Sequence, residues 1–261
     1  MMYQFCALTD PGRARENNED SVTYDQQARL AVLADGMGGY NAGEIASGMA
    51  TAFIKSELSR WLLEVGSSAP AKEVRRAMEI CVDNANTAIF NSANSNASYA
   101  GMGTTLVVGV FRDDRLLLGH IGDSRCYRLR AGQLTQITKD HSLLQEQIDA
   151  GLITPEQAVG SSIKNLVTRA LGVEDVVALD VNEHAVEAND VYLMCSDGLS
   201  DMVSDEVIAR ILCEDAELAQ KAGILVATAN ENGGRDNISV LIVAVSDAIG
   251  RKGLFARLLG K

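Results

Sequence analysis

The chain has 261 residues, 47% hydrophobic and 22% charged, with a formal net charge of −12. That composition suits one sizeable globular domain with a substantial core. The acidic balance argues against non-specific binding to nucleic acid or anionic membranes, whose phosphates it would repel.

Strand signals come first, at 3–10, 21–25 and 29–35, separated by turn-rich pieces. Two stretches with apolar residues at helical spacing follow, Gly43–Val65 and Ala71–Ala93. Strand patterns return at 104–112, 115–122, 124–130 and 131–137, with Asp113-Asp114 as a turn. The pattern is helical and irregular from Asp140 to about Leu171. Strands are expected again at 176–186 and 190–197, then a helical stretch over 204–230 and a last strand at Ile238–Ser246. Hairpin-like strand pairs around two long helical inserts predict an α+β fold with antiparallel sheets covered by helices. Strands and helices do not alternate, as a parallel sheet would require.

The apolar run near Ile238–Val245 is too short to span a bilayer. Met1–Asp10 lacks a basic segment leading into an apolar one. Five cysteines, an odd number without a CxxC pair, read as core residues in a reducing compartment. The expectation is a soluble cytoplasmic protein.

The stretch VLADGMGGYNAG, Val32–Gly43, sets Asp35 inside a run of glycines. It lacks the third glycine of a dinucleotide loop, and no G-x-x-x-x-G-K-[ST] occurs. Kinase motifs are absent, and no cysteine stands six positions before an arginine. Other acids share the setting of Asp35. Asp20 opens a strand, Asp197 closes one before Gly198, Asp236 precedes the last strand, and Asp123 lies between two strands. Each alone could cap a turn. Together, carboxylates delivered to strand ends without a nearby lysine repel one another unless cations neutralise them. Oxygen donors suit Mg²⁺ or Mn²⁺ rather than zinc. The glycines would then let a backbone carbonyl and waters approach an ion.

The blocks RARENNEDS (13–21), LADGMGGYNAGEIAS (33–47), GMGTT (101–105), HIGDSRCYRLRAGQLTQITKDHS (120–142), NLVTRALG (165–172), LMCSDGLSDMVSDEVI (193–208) and GGRDNISVLIV (233–243) follow in order. They resemble the metal-dependent serine/threonine protein phosphatases of type 2C, in particular compact bacterial members. The resemblance implies a single phosphatase domain over 1–247: a central β-sandwich of two antiparallel sheets flanked by pairs of helices in αββα layers. It implies hydrolysis of phosphoserine and phosphothreonine in proteins by a metal-activated water at a dinuclear Mn²⁺ or Mg²⁺ centre. By position, Asp35 would bridge two tightly bound ions, and Asp197 and Asp236 would complete one shell. Glu19 or Asp20, with the Gly36 carbonyl, would serve the other. Asp123, shared with Asp197, would hold a weaker third ion. Arg15 would bind phosphate, and its guanidinium has the fork for that task.

One position departs from the pattern. Tyr40 stands where bacterial relatives carry a histidine that could protonate the leaving group, and a phenol is a poor acid near neutral pH. His120, His141 and His184 are expected to be structural. Residues Gln145–Lys164, with Gly151, Gly160 and Ser161, match a mobile flap. The expected partners are phosphorylated proteins and a cognate Ser/Thr kinase, with no nucleic acid and a monomeric state. A silent family member acting as a regulatory binder is the alternative, but it would need a broken metal set. A small-molecule phosphatase with the same chemistry is another. Residues 248–261 form a basic amphipathic tail, with Arg251, Lys252, Arg257 and Lys261 beside Leu254, Phe255, Leu258 and Leu259. It is expected to dock on its own domain.

Overall fold

The structure is a computed structural model and describes residues 1–39, 42–154, 157 and 166–247. Strands β1 (Met2–Asp10), β2 (Asp20–Asp25) and β3 (Leu30–Met37) lead into helices α1 (Ala42–Val65) and α2 (Ala71–Ser95). Strands β4 (Gly103–Thr104), β5 (Leu106–Arg112), β6 (Arg115–Ile121), β7 (Arg125–Arg130) and β8 (Gln133–Gln136) follow, then helix α3 (Leu143–Asp149). After β9 (Asp180–Ala185) and β10 (Val191–Cys195) come α4 (Asp197–Ser200), α5 (Asp205–Cys213), α6 (Leu218–Glu231) and β11 (Ile238–Ser246).

One antiparallel sheet has the order β1-β11-β10-β7-β8. The other has the order β2-β3-β5-β6-β9, with β4 paired to β3. The near-continuous apolar run of β3 reflects burial on both faces. Leu30, Val32 and Ala34 pack with α1 and α2, while Ala31 and Leu33 enter the core between the sheets. Ile238, Val240 and Ile242 of β11 likewise meet α5 and α6, and Leu241 and Val243 face inward. Aromatic rings fill the inner layer, with Phe111 5.3 Å from Tyr3 and 5.4 Å from Tyr192 between ring centroids. The layers are therefore helices, sheet, sheet, helices, as expected.

Three boundaries differ from the sequence reading. The helical stretch 204–230 is two helices. The chain breaks after Cys213, and α6 restarts where the Glu217 N–H donates to Gln220 Oε1 at 3.3 Å. The strand expected over 176–186 is ordered as β only from Asp180. The strand expected over 104–112 is split at Thr105, whose N–H turns to the Asp35 carbonyl at 2.9 Å.

Topology gathers the acids at one end of the sandwich. Asp20 opens β2 opposite Asp35 near the end of β3. Asp123 lies in the β6–β7 turn, Asp197 just beyond β10, and Asp236 just before β11. Antiparallel order brings strand starts and strand ends to the same rim.

Candidate metal centre

Asp35 is fixed by its backbone. Its N–H donates to Thr105 Oγ1 at 3.0 Å, and its carbonyl accepts from the Thr105 N–H and Thr104 Oγ1, each at 2.9 Å. Thr105 Oγ1 also shares a hydrogen bond of 2.7 Å with Ser124 Oγ, beside Asp123. Opposite Asp35, Asp20 is 8% exposed. The Ser196 hydroxyl donates to its Oδ2 at 2.7 Å, whereas Oδ1 has no hydrogen-bond partner among the described residues. A buried carboxylate oxygen without a donor is costly and calls for a cation or a proton.

The glycine run folds back on itself. A Cβ on Gly36 would lie 2.1 Å from the Gly43 carbonyl oxygen and 2.5 Å from that of Glu19, closer than any side chain tolerates. A Cβ on Gly43 would lie 2.9 Å from both the Glu19 carboxyl carbon and the Gly36 carbonyl oxygen. Glycine here leaves room for backbone to meet backbone, and it places a carbonyl beside a carboxylate. The Gly36 N–H and the Ser47 hydroxyl both donate to the Glu19 carbonyl, at 3.0 and 2.6 Å.

Asp197 and Asp236 come together through a third glycine. A Cβ on Gly198 would lie 2.0 Å from the Asn237 carbonyl oxygen, so the turn carrying Asp197 lies directly on the chain carrying Asp236. Asn237 ties the rim together. Its Oδ1 accepts the Glu19 N–H at 2.7 Å, and its Nδ2 donates to the carbonyls of Pro11 and Asn17 at 3.0 and 2.9 Å. Its own N–H donates to Asp236 Oδ1 at 2.9 Å. Asn237 and Ser196 were not singled out from sequence, because their partners lie far along the chain. The sequence signals they leave are an Asn following Asp236 and a Ser preceding Asp197.

Electrostatics identify these side chains as one system. Burial, then the negative charges of Asp20, Asp197, Asp123 and Asp236, push the Asp35 carboxyl well above the ordinary carboxylate range. Burial with neighbouring carboxylates lifts Asp197 to about 8. Burial lifts Asp20 and Asp123 to about 6, against the Ser196 hydrogen bond in the first case and with the Asp140 charge in the second. Glu19 is raised by burial and lowered by Arg15. Asp35, Asp197 and Asp236 keep part of their surface open, so depth among protein atoms rather than complete loss of water raises the first two. The cations at the edge are already engaged. Arg15 Nη2 lies 2.7 Å from Asp236 Oδ2, with over half of its side chain exposed, and Arg125 holds Asp140 in a fork. Crowded carboxylates with a partnerless oxygen, beside a backbone carbonyl, form an all-oxygen donor set that fits Mg²⁺ or Mn²⁺.

The sequence-derived residues Asp20, Asp35, Gly36, Asp197, Asp236, Asp123, Glu19 and Arg15 thus share one end of the sandwich. Gln145 lies in α3, where its Nε2 donates to Asp149 Oδ1 at 3.0 Å, and Gly151 ends that helix with φ +69°. Tyr40, Gly160, Ser161, Lys164 and the tail 248–261 lie outside the described residues. No helix among the described residues is long and apolar enough to cross a membrane.

Comparison with known proteins bears on this geometry. The family profile described as Protein phosphatase 2C matches residues 13–230. Over 248 residues the chain is 42% identical to the serine/threonine protein phosphatase PstP of Mycobacterium tuberculosis, covering 95% of this chain and 46% of that protein. The chain therefore spans about half the length of that relative. It is 37% identical over 239 residues to the serine/threonine phosphatase stp of Listeria monocytogenes, covering 90% of this chain and 93% of the relative. A crystal structure of the catalytic domain of PstP in complex with two manganese ions superposes with a TM-score of 0.82 at 41% identity, covering 94% of this chain and 99% of that one.

Proposed function

This chain belongs to the protein phosphatase 2C family, and from that premise we propose that it hydrolyses phosphoserine and phosphothreonine in proteins at a centre of two divalent cations. The observation that carries the reading is the convergence of Asp20, Asp35, Asp197 and Asp236 at one rim, where the first three carboxyls are raised and one Asp20 oxygen has no hydrogen-bond partner among the described residues. Asp35 would contribute to holding both ions. Asp197 and Asp236 would serve one of them, while Glu19 or Asp20 with the Gly36 carbonyl would serve the other. Asp123, with Asp197, would hold a weaker outer ion. When bound, Mn²⁺ or Mg²⁺ supplies an acidified water and neutralises charge on the phosphoryl oxygens.

The chain's own groups do the rest. Arg15 stands at the exposed rim, where its guanidinium exchanges Asp236 for the oxygens of an arriving phosphate. Asn237 and Thr105 hold the backbone beside Asp236 and Asp35, so the carboxylates stay in place as charge builds on the phosphoryl group. A cognate Ser/Thr kinase, a monomeric state and a cytoplasmic location complete the proposal. The test is phosphopeptide hydrolysis with Mn²⁺, Mg²⁺ or chelator, beside sugar and nucleotide phosphates. Metal-dependent turnover that favours phosphopeptide supports the reading. Preference for the small phosphates would replace the substrate, and no turnover with either metal would favour the silent alternative.

A further inference from the structure

His141 is 8% exposed and every polar atom it has is engaged. Its carbonyl accepts the Thr168 N–H at 2.8 Å, and two residues on, the Leu143 N–H donates to the Leu166 carbonyl at 2.9 Å. Ser142 and Val167 form a β-bridge between them, so residues 141–143 and 166–168 run side by side as two arms. On its other side His141 meets Gly122. The His141 N–H donates to the Gly122 carbonyl at 2.9 Å, and the Gly122 N–H donates to His141 Nδ1 at 3.1 Å. His141 Nε2 lies 3.0 Å from Asp180 Oδ2, and the His120 ring stacks on it with centroids 4.6 Å apart.

The tautomer follows from this pattern. A backbone amide only donates, so Nδ1 carries the lone pair and Nε2 carries the proton that goes to Asp180. The ligand atoms of His120, His141 and Asp180 lie within 4.8 Å of one another, close enough for a metal. A cation there would need the Nε2 lone pair, which the tautomer takes away. Asp180 and His141 instead form a hydrogen-bond chain that ends on the amide of Gly122, one residue before Asp123, while His120 stacks on the ring with its Nε2 2.8 Å from the Lys139 carbonyl. The turn itself has little slack. Gly122 has φ +98°, and a Cβ there would lie 2.6 Å from Thr105 Cγ2, on the residue that receives the Asp35 N–H.

Resting on the reading that Asp123 holds the outer ion, we propose that His141 is a positioning residue that ties the Gly122–Asp123 turn to the 166–168 arm and thereby sets the affinity of that ion site. The chemistry is that of an outer-shell partner, which orients a ligand it does not replace. The Asp180–His141–Gly122 chain fixes the amide, the amide fixes the turn, and the turn aims the carboxylate.

The test titrates Mn²⁺ into the full chain, by calorimetry and by the electron paramagnetic resonance of free Mn²⁺, with four variants. Asp123→Ala should remove the weak class of sites. His141→Leu should weaken that class about tenfold, a typical outer-shell effect, and leave the tight class unchanged. His141→Asn should recover most of the loss, because its Oδ1 stands where Nδ1 accepts the Gly122 N–H. His141→Gln, which reaches Asp180 instead, should not. In the metal-free protein the Gly122 amide should exchange faster in His141→Leu and regain protection in His141→Asn. If His141→Leu fails to fold, the Asn and Gln pair decides. A weak class intact in Asp123→Ala would remove the ion assignment and this inference with it. A weak class lost in Asp123→Ala but equal in the Asn, Gln and native proteins would overturn the role of His141 alone.

Discussion

Asp20 and Asp35 are register partners across the β2–β3 ladder, two carboxylates directly opposite one another at the rim of the sandwich. Like charges in that relation are destabilising, more so where water is scarce. Stability of the metal-free protein should therefore depend on pH in an unusual sense. Asp20 and Asp123 titrate at about 6 and Asp197 at about 8 in the folded chain, against about 3.9 when unfolded. Between about pH 4 and 8 the native state holds protons that the unfolded chain has released, so unfolding free energy falls as pH rises. The contribution of these groups is complete below the unfolded value and is lost as pH climbs through 6 and 8. Thermal unfolding in chelator should show Tm declining from pH 4.5 to 8. Saturating Mn²⁺ should remove the decline, adding about 2.7 kcal/mol at a hundred times Kd. A metal-free Tm that is flat or rises over this range would contradict the crowded-carboxylate picture.

Asp35→Asn keeps the shape and removes the charge shared by the proposed ions. Turnover on phosphopeptide should nearly vanish, and the tight Mn²⁺ class should weaken sharply. The metal-free variant should be at least as stable as the native chain, because a carboxyl that burial and its acidic neighbours hold well above the ordinary range is gone. Calorimetric titration and Tm in chelator check the two halves. Native turnover, or a variant destabilised without metal, would place Asp35 outside a metal centre.

Much of this arrangement is legible in the sequence, for a physical reason. Strands buried on both faces must be nearly all apolar, so an acid at the end of such a run, as Asp35 and Asp197 are, stands out against its neighbours. The backbone contacts that hold those acids leave no such mark. Thr105 meets Asp35 across 70 positions, Ser196 meets Asp20 across 176, and Asn237 meets Glu19 across 218. Each is a small polar residue whose type alone says nothing. The sequence marks His141 only as a structural histidine, and its ring is packed and bonded. That its bond lands on the amide before Asp123 is a fact of the folded chain.

Arg15→Ala separates phosphate recognition from the fold. The pair with Asp236 is largely solvent-exposed on the arginine side, so its loss should change Tm little. The effect should appear as a fall in kcat/KM worth about 1.5–3 kcal/mol, the range of a charge-assisted contact. Inorganic phosphate should inhibit the variant more weakly by a similar factor. Steady-state kinetics on a phosphopeptide, with phosphate as inhibitor, measures both. Unchanged kcat/KM and inhibition would remove Arg15 from the site.

Gly198→Ala tests how closely two carboxylates must be brought together. Gly198 follows Asp197 and lies against the carbonyl of Asn237, which follows Asp236. The added methyl carbon would sit 2.0 Å from that oxygen, so one of the two segments must shift. Neither can move freely. Asn237 is held at once to Glu19, Pro11 and Asn17, and α4, which Asp197 begins, buries Leu199 in the outer core. The strain therefore falls on the spacing between Asp197 and Asp236, which the proposed first ion requires. The expected outcome is a folded but less stable protein, in the range of about 1–3 kcal/mol for overpacking, with the tight Mn²⁺ class weakened. The conservative direction matters, because alanine adds no charge and removes no ligand. Gly223→Ala, inside helix α6 where a Cβ meets nothing within 4 Å, is the control: it should leave Mn²⁺ affinity unchanged and raise stability by about 0.5–1 kcal/mol, as glycine to alanine does in an unstrained helix. Native Mn²⁺ affinity in Gly198→Ala, alongside a measurable drop in Tm, would show that Asp197 and Asp236 do not share an ion.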